Sequence, residues 1–248
     1  MHRILVVEPV ATAIDIEALK ETLNKHAYED FQVDVTNIPY GSYAIGSSFD
    51  IHQNAPFIVR KISEAEKQDY DGVIINCFAD PGLIPAREAV KIPVIGPGET
   101  SLHIALMLGT KFSIVSVGGL SVSKLILRKI NELGIASSFA SLRQIDLTLE
   151  EYFQKEGSWK DENKIKSLLT KEAKAAIKED GADVIVLGCT GFTGLASELS
   201  KKLAVPVIDP LLVALRLCEA LISLNISHSK LAYPEPPKIP ASHSLFEV

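Results

Sequence analysis

The chain has little of what marks several common protein classes. Three cysteines in 248 residues are an odd number, and their spacing matches neither a disulfide framework nor a zinc site. Five of the six histidines show no metal-ligand spacing. The sixth, His103, follows a helix start and serves either structure or a nearby cleft. Basic residues are in the minority, 25 Lys and Arg against 31 Asp and Glu, for a net charge of −6. That argues against a nucleic-acid partner. No apolar run approaches the ~20 residues of a membrane helix, so no membrane partner is expected. The first strand begins almost at the start of the sequence, so no signal peptide is expected. With thiols reduced, the cytoplasm is the expected compartment. The triplet Gly96-Pro97-Gly98 lacks the order and length of a dinucleotide loop, which excludes a nucleotide cofactor.

What is present is an ordinary globular composition, 47% hydrophobic and 23% charged, enough for one large or two small domains. Two cysteines stand in matching frames. Cys77 ends the run Asp71-Gly72-Val73-Ile74-Ile75-Asn76-Cys77, and Cys189 ends Ala182-Asp183-Val184-Ile185-Val186-Leu187-Gly188-Cys189. Each run reads as a short, fully buried strand with a small or polar break before the cysteine. A residue just past the end of a parallel strand stands where α/β folds place ligand chemistry.

The frames are part of a wider repeat. A basic residue leads an apolar strand at Arg3 and at Lys111, an offset of 111 − 3 = 108. The cysteines are 189 − 77 = 112 apart, the prolines of Ile92-Pro93-Val94 and Val205-Pro206-Val207 are 206 − 93 = 113 apart, and apolar helices start at Leu102 and Leu211, 109 apart. Four features in one order point to a half-domain used twice.

Patterns predict strands at 3–8, 31–37, 73–76, 94–95, 112–117, 142–146, 184–187 and 207–208. Helices are predicted at 14–25, 55–68, 85–90, 101–108, 121–133, 164–179, 195–203 and 211–224, with Thr100 or Ser101 capping the fourth and Gly134 stopping the fifth. Residues 233–240, with four prolines, predict an extended arm. Alternation of strand and helix predicts an α/β fold with parallel sheets, and the duplication predicts two pseudo-symmetric, Rossmann-like parallel-sheet lobes whose cysteines face each other across a cleft, with the site between them. Residues 1–98 plus about 207–248 form lobe 1, and residues 99–206 form lobe 2.

A thiol facing backbone N–H groups and a helix start lies in positive potential, which predicts a lowered thiol pKa. The same N–H groups can stabilise an enolate-like oxygen. A thiolate and a thiol on opposite faces of one carbon exchange its proton with inversion. Inert burial is the other reading of a cysteine, and the better one for Cys218. A redox disulfide between Cys77 and Cys189 is a third, requiring close Cα approach. Further candidates around a substrate are Pro9, Phe78, Ala79, Thr190, Gly191, Ser116 at the end of its strand, and Tyr43 in a Gly/Ser-rich loop. Asp80 either tunes Cys77 or is turn chemistry before Pro81.

The segments Cys77-Phe78-Ala79-Asp80-Pro81-Gly82-Leu83, Ala86-Arg87-Glu88, Pro93-Val94-Ile95-Gly96, Gly98-Glu99-Thr100, Leu187-Gly188-Cys189-Thr190-Gly191-Phe192, Pro206-Val207-Ile208-Asp209-Pro210 and Ser229-Lys230-Leu231-Ala232-Tyr233-Pro234 resemble the aspartate/glutamate racemase superfamily and, within it, the hydantoin racemase branch, over residues 1–240. The resemblance implies a metal- and cofactor-free two-base racemase, with Cys77 and Cys189 as the acid–base pair. It implies 5-substituted hydantoins or allantoin as small-molecule substrates, and a homo-oligomer is expected. An amino-acid racemase or a cis–trans isomerase with the same cysteines, or a binding protein that has lost catalysis, remain alternatives. The sequence departs from the branch at its first strand end. There the branch usually has Asn-Pro-Asn-Thr-Ser, and this chain has Glu8-Pro9-Val10-Ala11-Thr12. That departure puts the ligand itself in question.

Overall fold

A computed structural model of the protein describes residues 1–11, 15–148, 151 and 161–237. Among them the first half runs β1 (His2–Glu8), α1 (Ile16–His26), β2 (Phe31–Asn37), α2 (Ser48–Lys67), β3 (Gly72–Ile75), α3 (Leu83–Ala89), β4 (Val94–Ile95) and α4 (Pro97–Leu108). The second runs β5 (Phe112–Ser116), α5 (Leu120–Glu132), β6 (Phe139–Gln144), α6 (Glu162–Glu179), β7 (Val184–Leu187), a 3₁₀ turn (Thr190–Phe192), α7 (Ala196–Leu203), β8 (Val207–Ile208) and α8 (Pro210–Ser223).

The strands form two four-stranded sheets, ordered β2-β1-β3-β4 and β6-β5-β7-β8, parallel throughout. The second order is the first with four added to each strand number. Register repeats as well: Val7 pairs with Ile75 and Val115 with Leu187, and Ile74 pairs with Ile95 and Val186 with Ile208. Cys77 and Cys189 therefore leave equivalent strands at equivalent heights.

Alternation along each strand splits its side chains between two packed layers. Leu5, Val7, Val73 and Ile75 face α2 and α3, while Ile4, Val6 and Ile74 face Leu211, Ala214 and Leu215 of α8. In the second sheet Val115, Ile185 and Leu187 face α6 and α7, while Phe112, Ile114, Val184 and Val186 face Leu102 and Ala105 of α4. The two final helices are thus exchanged. α4 follows the first sheet and packs on the second; α8 follows the second and packs on the first. Both begin with a proline at the first helical turn, where the missing N–H leaves nothing unpaired. β8 still pairs with β7, so the chain returns to the first sheet after Ile208.

Several boundaries differ from expectation for identifiable reasons. α2 starts at Ser48 rather than residue 55. Ser47 caps it, and Asp50 accepts from Ser42 and Ser47 hydroxyls at 2.6 and 2.7 Å, an N-terminal network that starts the helix well before Pro56, which lies inside it. α4 starts at Pro97 rather than 101 because its cap comes from a distant loop: Asp80 accepts from the Gly98 and Glu99 N–H groups at 2.9 and 2.8 Å. Ser101, expected as a cap, is buried and donates to the Pro97 carbonyl at 2.5 Å. β6 lies at 139–144, about three residues before its expected position. The helix expected from residue 14 is described from Ile16, so its first expected residue falls outside the described residues. The arm expected to residue 240 is described only to residue 237.

Gly98 is the tightest point of this packing, since a Cβ there would lie 1.9 Å from the Phe78 carbonyl oxygen. Relief requires backbone movement in the Cys77 loop. Gly98→Ala is expected to destabilise the protein by about 3 kcal/mol, lowering Tm by roughly 6–12 °C for a chain of this size. A Tm within error of wild type by thermal denaturation contradicts this packing.

Candidate active site

The loops after β3 and β7 meet at the ends of the two sheets. Thr190 Oγ1, one residue past Cys189, donates to the Asn76 carbonyl, one residue before Cys77, at 3.3 Å. This bond spans the halves and sets the cysteine loops side by side. The Cys77 thiol accepts from the Ala79 N–H and lies in electrostatic reach of Cys189. The Cys189 thiol accepts from the Gly191 N–H. Each cysteine is half-buried with a free thiol, and each meets the amide two residues further on, a local turn repeated in both halves.

The expected fall in thiol pKa is overturned. Burial pushes Cys77 up to about 12 and Cys189 up to about 11, against the opposing pull of those amides. One N–H per sulfur and a short turn do not replace the water lost to a thiolate. The neighbouring thiol and Asp80 raise Cys77 further, and Lys129 lowers it. Glu8 raises Cys189. When formed, a thiolate here is a strong base, and its partner is held as the acid. Cys218 is fully buried in α8 against the first sheet, and burial raises its thiol too.

The Cys77 loop is held from below by Asp80. It is buried at 6% exposure, with φ 51, a left-handed conformation that few non-glycine residues adopt. Besides capping α4, its Oδ2 receives Lys129 Nζ at 2.7 Å. Lys129 projects from α5, so the ion pair joins the first cysteine loop to the second half of the chain. No sequence signal singled out Lys129, one of several lysines on an amphipathic helix. The signal for Asn76 was the polar break in an otherwise apolar strand.

The other expected site residues fare differently. Ala79, Thr190 and Gly191 are brought to the thiols as described. Pro9 is buried beside the site's first strand end, its carbonyl accepting from Asn54 Nδ2 at 2.8 Å; Thr12, in the same segment, lies outside the described residues. The Phe78 ring is in the core with Leu102, Phe112 and Ile114, so only its backbone borders the site. Ser116 is buried, and its hydroxyl donates to the Gly188 and Val117 carbonyls at 3.1 and 3.2 Å. It braces the residue before Cys189 instead of offering a free donor. Tyr43 is 75% exposed and does not close over the thiols. His103 is exposed and bonded to the Glu99 carbonyl of its own helix, away from any cleft role. Glu8, read as a departure at a strand end, is buried, accepts from Asn76 Nδ2 and stands beside Cys189.

Among the described residues no cluster of His, Cys, Asp and Glu is arranged to hold a metal ion, and no helix is long and apolar enough to cross a membrane.

Residues 4–218 match a family model described as Asp/Glu/hydantoin racemase. A hydantoin racemase of Rhizobium meliloti is 34% identical, with 94% of this chain and 95% of that protein covered. A hydantoin racemase of Paenarthrobacter aurescens is 32% identical over 94% of this chain and 97% of its own length. Among solved structures, an allantoin racemase from Klebsiella pneumoniae superposes with a TM-score of 0.86 at 31% identity, covering 98% of this chain and 97% of the other.

Two outcomes follow from the site's electrostatics. Lys129→Met leaves Asp80 as a buried charge without its cation and is expected to cost about 3–5 kcal/mol. Adding Asp80→Asn is expected to recover part of that loss in a denaturant double-mutant cycle; additive costs would mean that the two do not interact. Because thiolate, not thiol, is alkylated, and ordinary thiols ionise near ~8.5, Cys77 and Cys189 in the native protein should react with iodoacetamide at pH 7.5 about 10²–10³-fold more slowly than in the unfolded chain. Site-resolved mass spectrometry giving equal rates would contradict the raised thiols.

Proposed function

The chain belongs to the Asp/Glu/hydantoin racemase family and is a racemase, and from that premise we propose that it interconverts the enantiomers of a 5-substituted hydantoin or of allantoin, using Cys77 and Cys189 and no cofactor. The observation that carries this reading is the pairing of two thiols on equivalent strand ends, coupled to each other and each given one backbone N–H. The substrate's ring carbon lies between them. One thiolate takes the proton from one face, and the electron pair passes into the adjacent carbonyl. The opposite thiol returns a proton to the other face. The reaction ends with thiol and thiolate exchanged, so the same site runs in reverse on the other enantiomer.

The raised thiols suit this chemistry. A carbon acid is weak, and proton transfer to a base of higher pKa is less uphill; the ring carbonyl brings the carbon acid partway toward it. A free amino acid, with an ammonium and an ionised carboxylate on the same carbon, is far less acidic. The hydantoin racemases at 32 and 34% identity favour the ring substrate over the amino acid. We place the protein in the cytoplasm, where three unpaired thiols persist, and as a homo-oligomer.

The test is exchange of the ring-carbon proton in D₂O, followed by NMR and polarimetry on single-enantiomer hydantoins, allantoin, aspartate and glutamate. Wild type should exchange and racemise a hydantoin or allantoin. Cys77→Ser and Cys189→Ser should each lose about 10²–10⁴-fold in racemisation. Undiminished racemisation in either variant removes that cysteine from the mechanism, and exchange of amino acids alone replaces the substrate class.

A further inference from the structure

We propose that Glu8 works in this site as a neutral carboxylic acid, donating a hydrogen bond to the substrate carbonyl oxygen as that oxygen gains enolate charge. The role rests on the racemase reading above.

Glu8 ends β1, directly opposite Asn37 on β2 and hydrogen-bonded to Asn76 beyond β3. Only 7% of it is exposed. The groups facing it are Asn37 and Asn76, which are neutral, and Cys189 beyond β7. The charged neighbours of Cys77 are Asp80 and Lys129. Among the described residues no cation pairs with Glu8; Lys129 is held by Asp80. The two buried carboxyls of the site are therefore provisioned in opposite ways. Asp80 has a lysine and two backbone N–H groups, and Glu8 has one side-chain amide. A buried carboxylate without a cation is costly, and such a group keeps its proton instead. Burial raises Glu8 to about 7 even against the Asn76 bond.

Two further observations point toward a ligand. Asn76 Oδ1 is buried without a partner, an acceptor that a substrate N–H would satisfy. In the second half the place of Glu8 is taken by Ser116, whose hydroxyl is already committed to backbone carbonyls. Among the described residues, the strand-end position carries an ionisable donor in the first half and a committed serine in the second.

The charge logic is simple. An ionised Glu8 would repel both the Cys189 thiolate and the developing enolate. A neutral one opposes neither and supplies the donor that such a transition state requires. No proton leaves Glu8 during the reaction. The thiolate takes the carbon's proton, the electron pair moves to the oxygen that Glu8 holds, and the opposite thiol protonates the carbon.

The productive form thus combines one thiolate with protonated Glu8. Above pH about 7 that form becomes scarcer, by about tenfold per pH unit, relative to a protein whose donor does not titrate. The experiment compares wild type, Glu8→Gln and Glu8→Ala as full-length protein across pH 6–10, on the hydantoin that wild type racemises. Glutamine keeps a donor. Its kcat/KM should be several-fold below wild type near pH 6, and the ratio of variant to wild type should then climb about tenfold per pH unit above 7. Alanine, without a donor, should lie about 10²–10³-fold below glutamine at every pH. A ratio that is flat or falls with pH means that Glu8 acts ionised, as a base or as the partner of a cationic substituent, and overturns the proposal.

An infrared difference spectrum between wild type and Glu8→Gln reads the same group without substrate. A carboxylic-acid band near pH 6 that gives way to carboxylate above pH 8 is expected, and carboxylate at pH 6 overturns the proposal. If wild type turns over neither a hydantoin nor allantoin, the substrate class proposed above falls, and the infrared result still decides the protonation of Glu8.

Discussion

The buried carboxylate of Asp80 is the tie on which the site depends. It sits three residues past Cys77 in a left-handed backbone conformation. It closes the N-terminus of α4 and meets Lys129 from the other half of the chain. With Gly98 packed on the Phe78 carbonyl, these contacts fix the turn that carries the first thiol. The Thr190–Asn76 bond then registers the second thiol against it. Helix exchange reinforces both, since α4 and α8 each pack on the sheet of the opposite half. Relative movement of the halves would strip apolar surface from both helices at once, a penalty of about 25 cal/mol per Å² exposed.

Desolvation is the second constraint. It raises both thiols and Glu8, and it makes each missing partner matter. The thiols receive one amide each, too little to offset burial. Asp80 receives a full set of partners and Glu8 a minimal one. A symmetric frame has thereby acquired asymmetric electrostatics. Cys77 is flanked by an ion pair, and Cys189 by a single carboxyl. The two faces of a bound substrate meet different environments, although the strands beneath them are equivalent.

Much of this was legible in the sequence. Apolar runs of four to seven residues with regular helical spacers predict parallel α/β lobes, and offsets of 108 to 113 reveal the duplication that the paired registers repeat. The matching frames singled out Cys77 and Cys189, and Ala79, Thr190 and Gly191 came with them because they are neighbours in the chain. Tyr43, Phe78 and Ser116 read less well. Their types and positions are compatible with substrate contact, but their surroundings direct them to solvent, to the core and to backbone carbonyls. The start of α4 was misplaced for the same reason: its cap is supplied from 18 residues away, and local capping rules register only local partners.

By itself, the sequence determined the alternation of elements, the repeat, the two cysteine positions and the presence of an acid at the first strand end. Those follow from short-range patterning, because strand and helix periodicities and turn residues act over a few positions. Only the tertiary structure decided which groups share a dielectric environment. It brought Lys129 to Asp80 across 49 residues and Thr190 to Asn76 across 114. It placed Glu8 beside Cys189, and it reversed the expected direction of the thiol shifts. A pKa depends on the water removed from a group and on the charges gathered around it in space, and neither quantity is written in the order of residues along the chain.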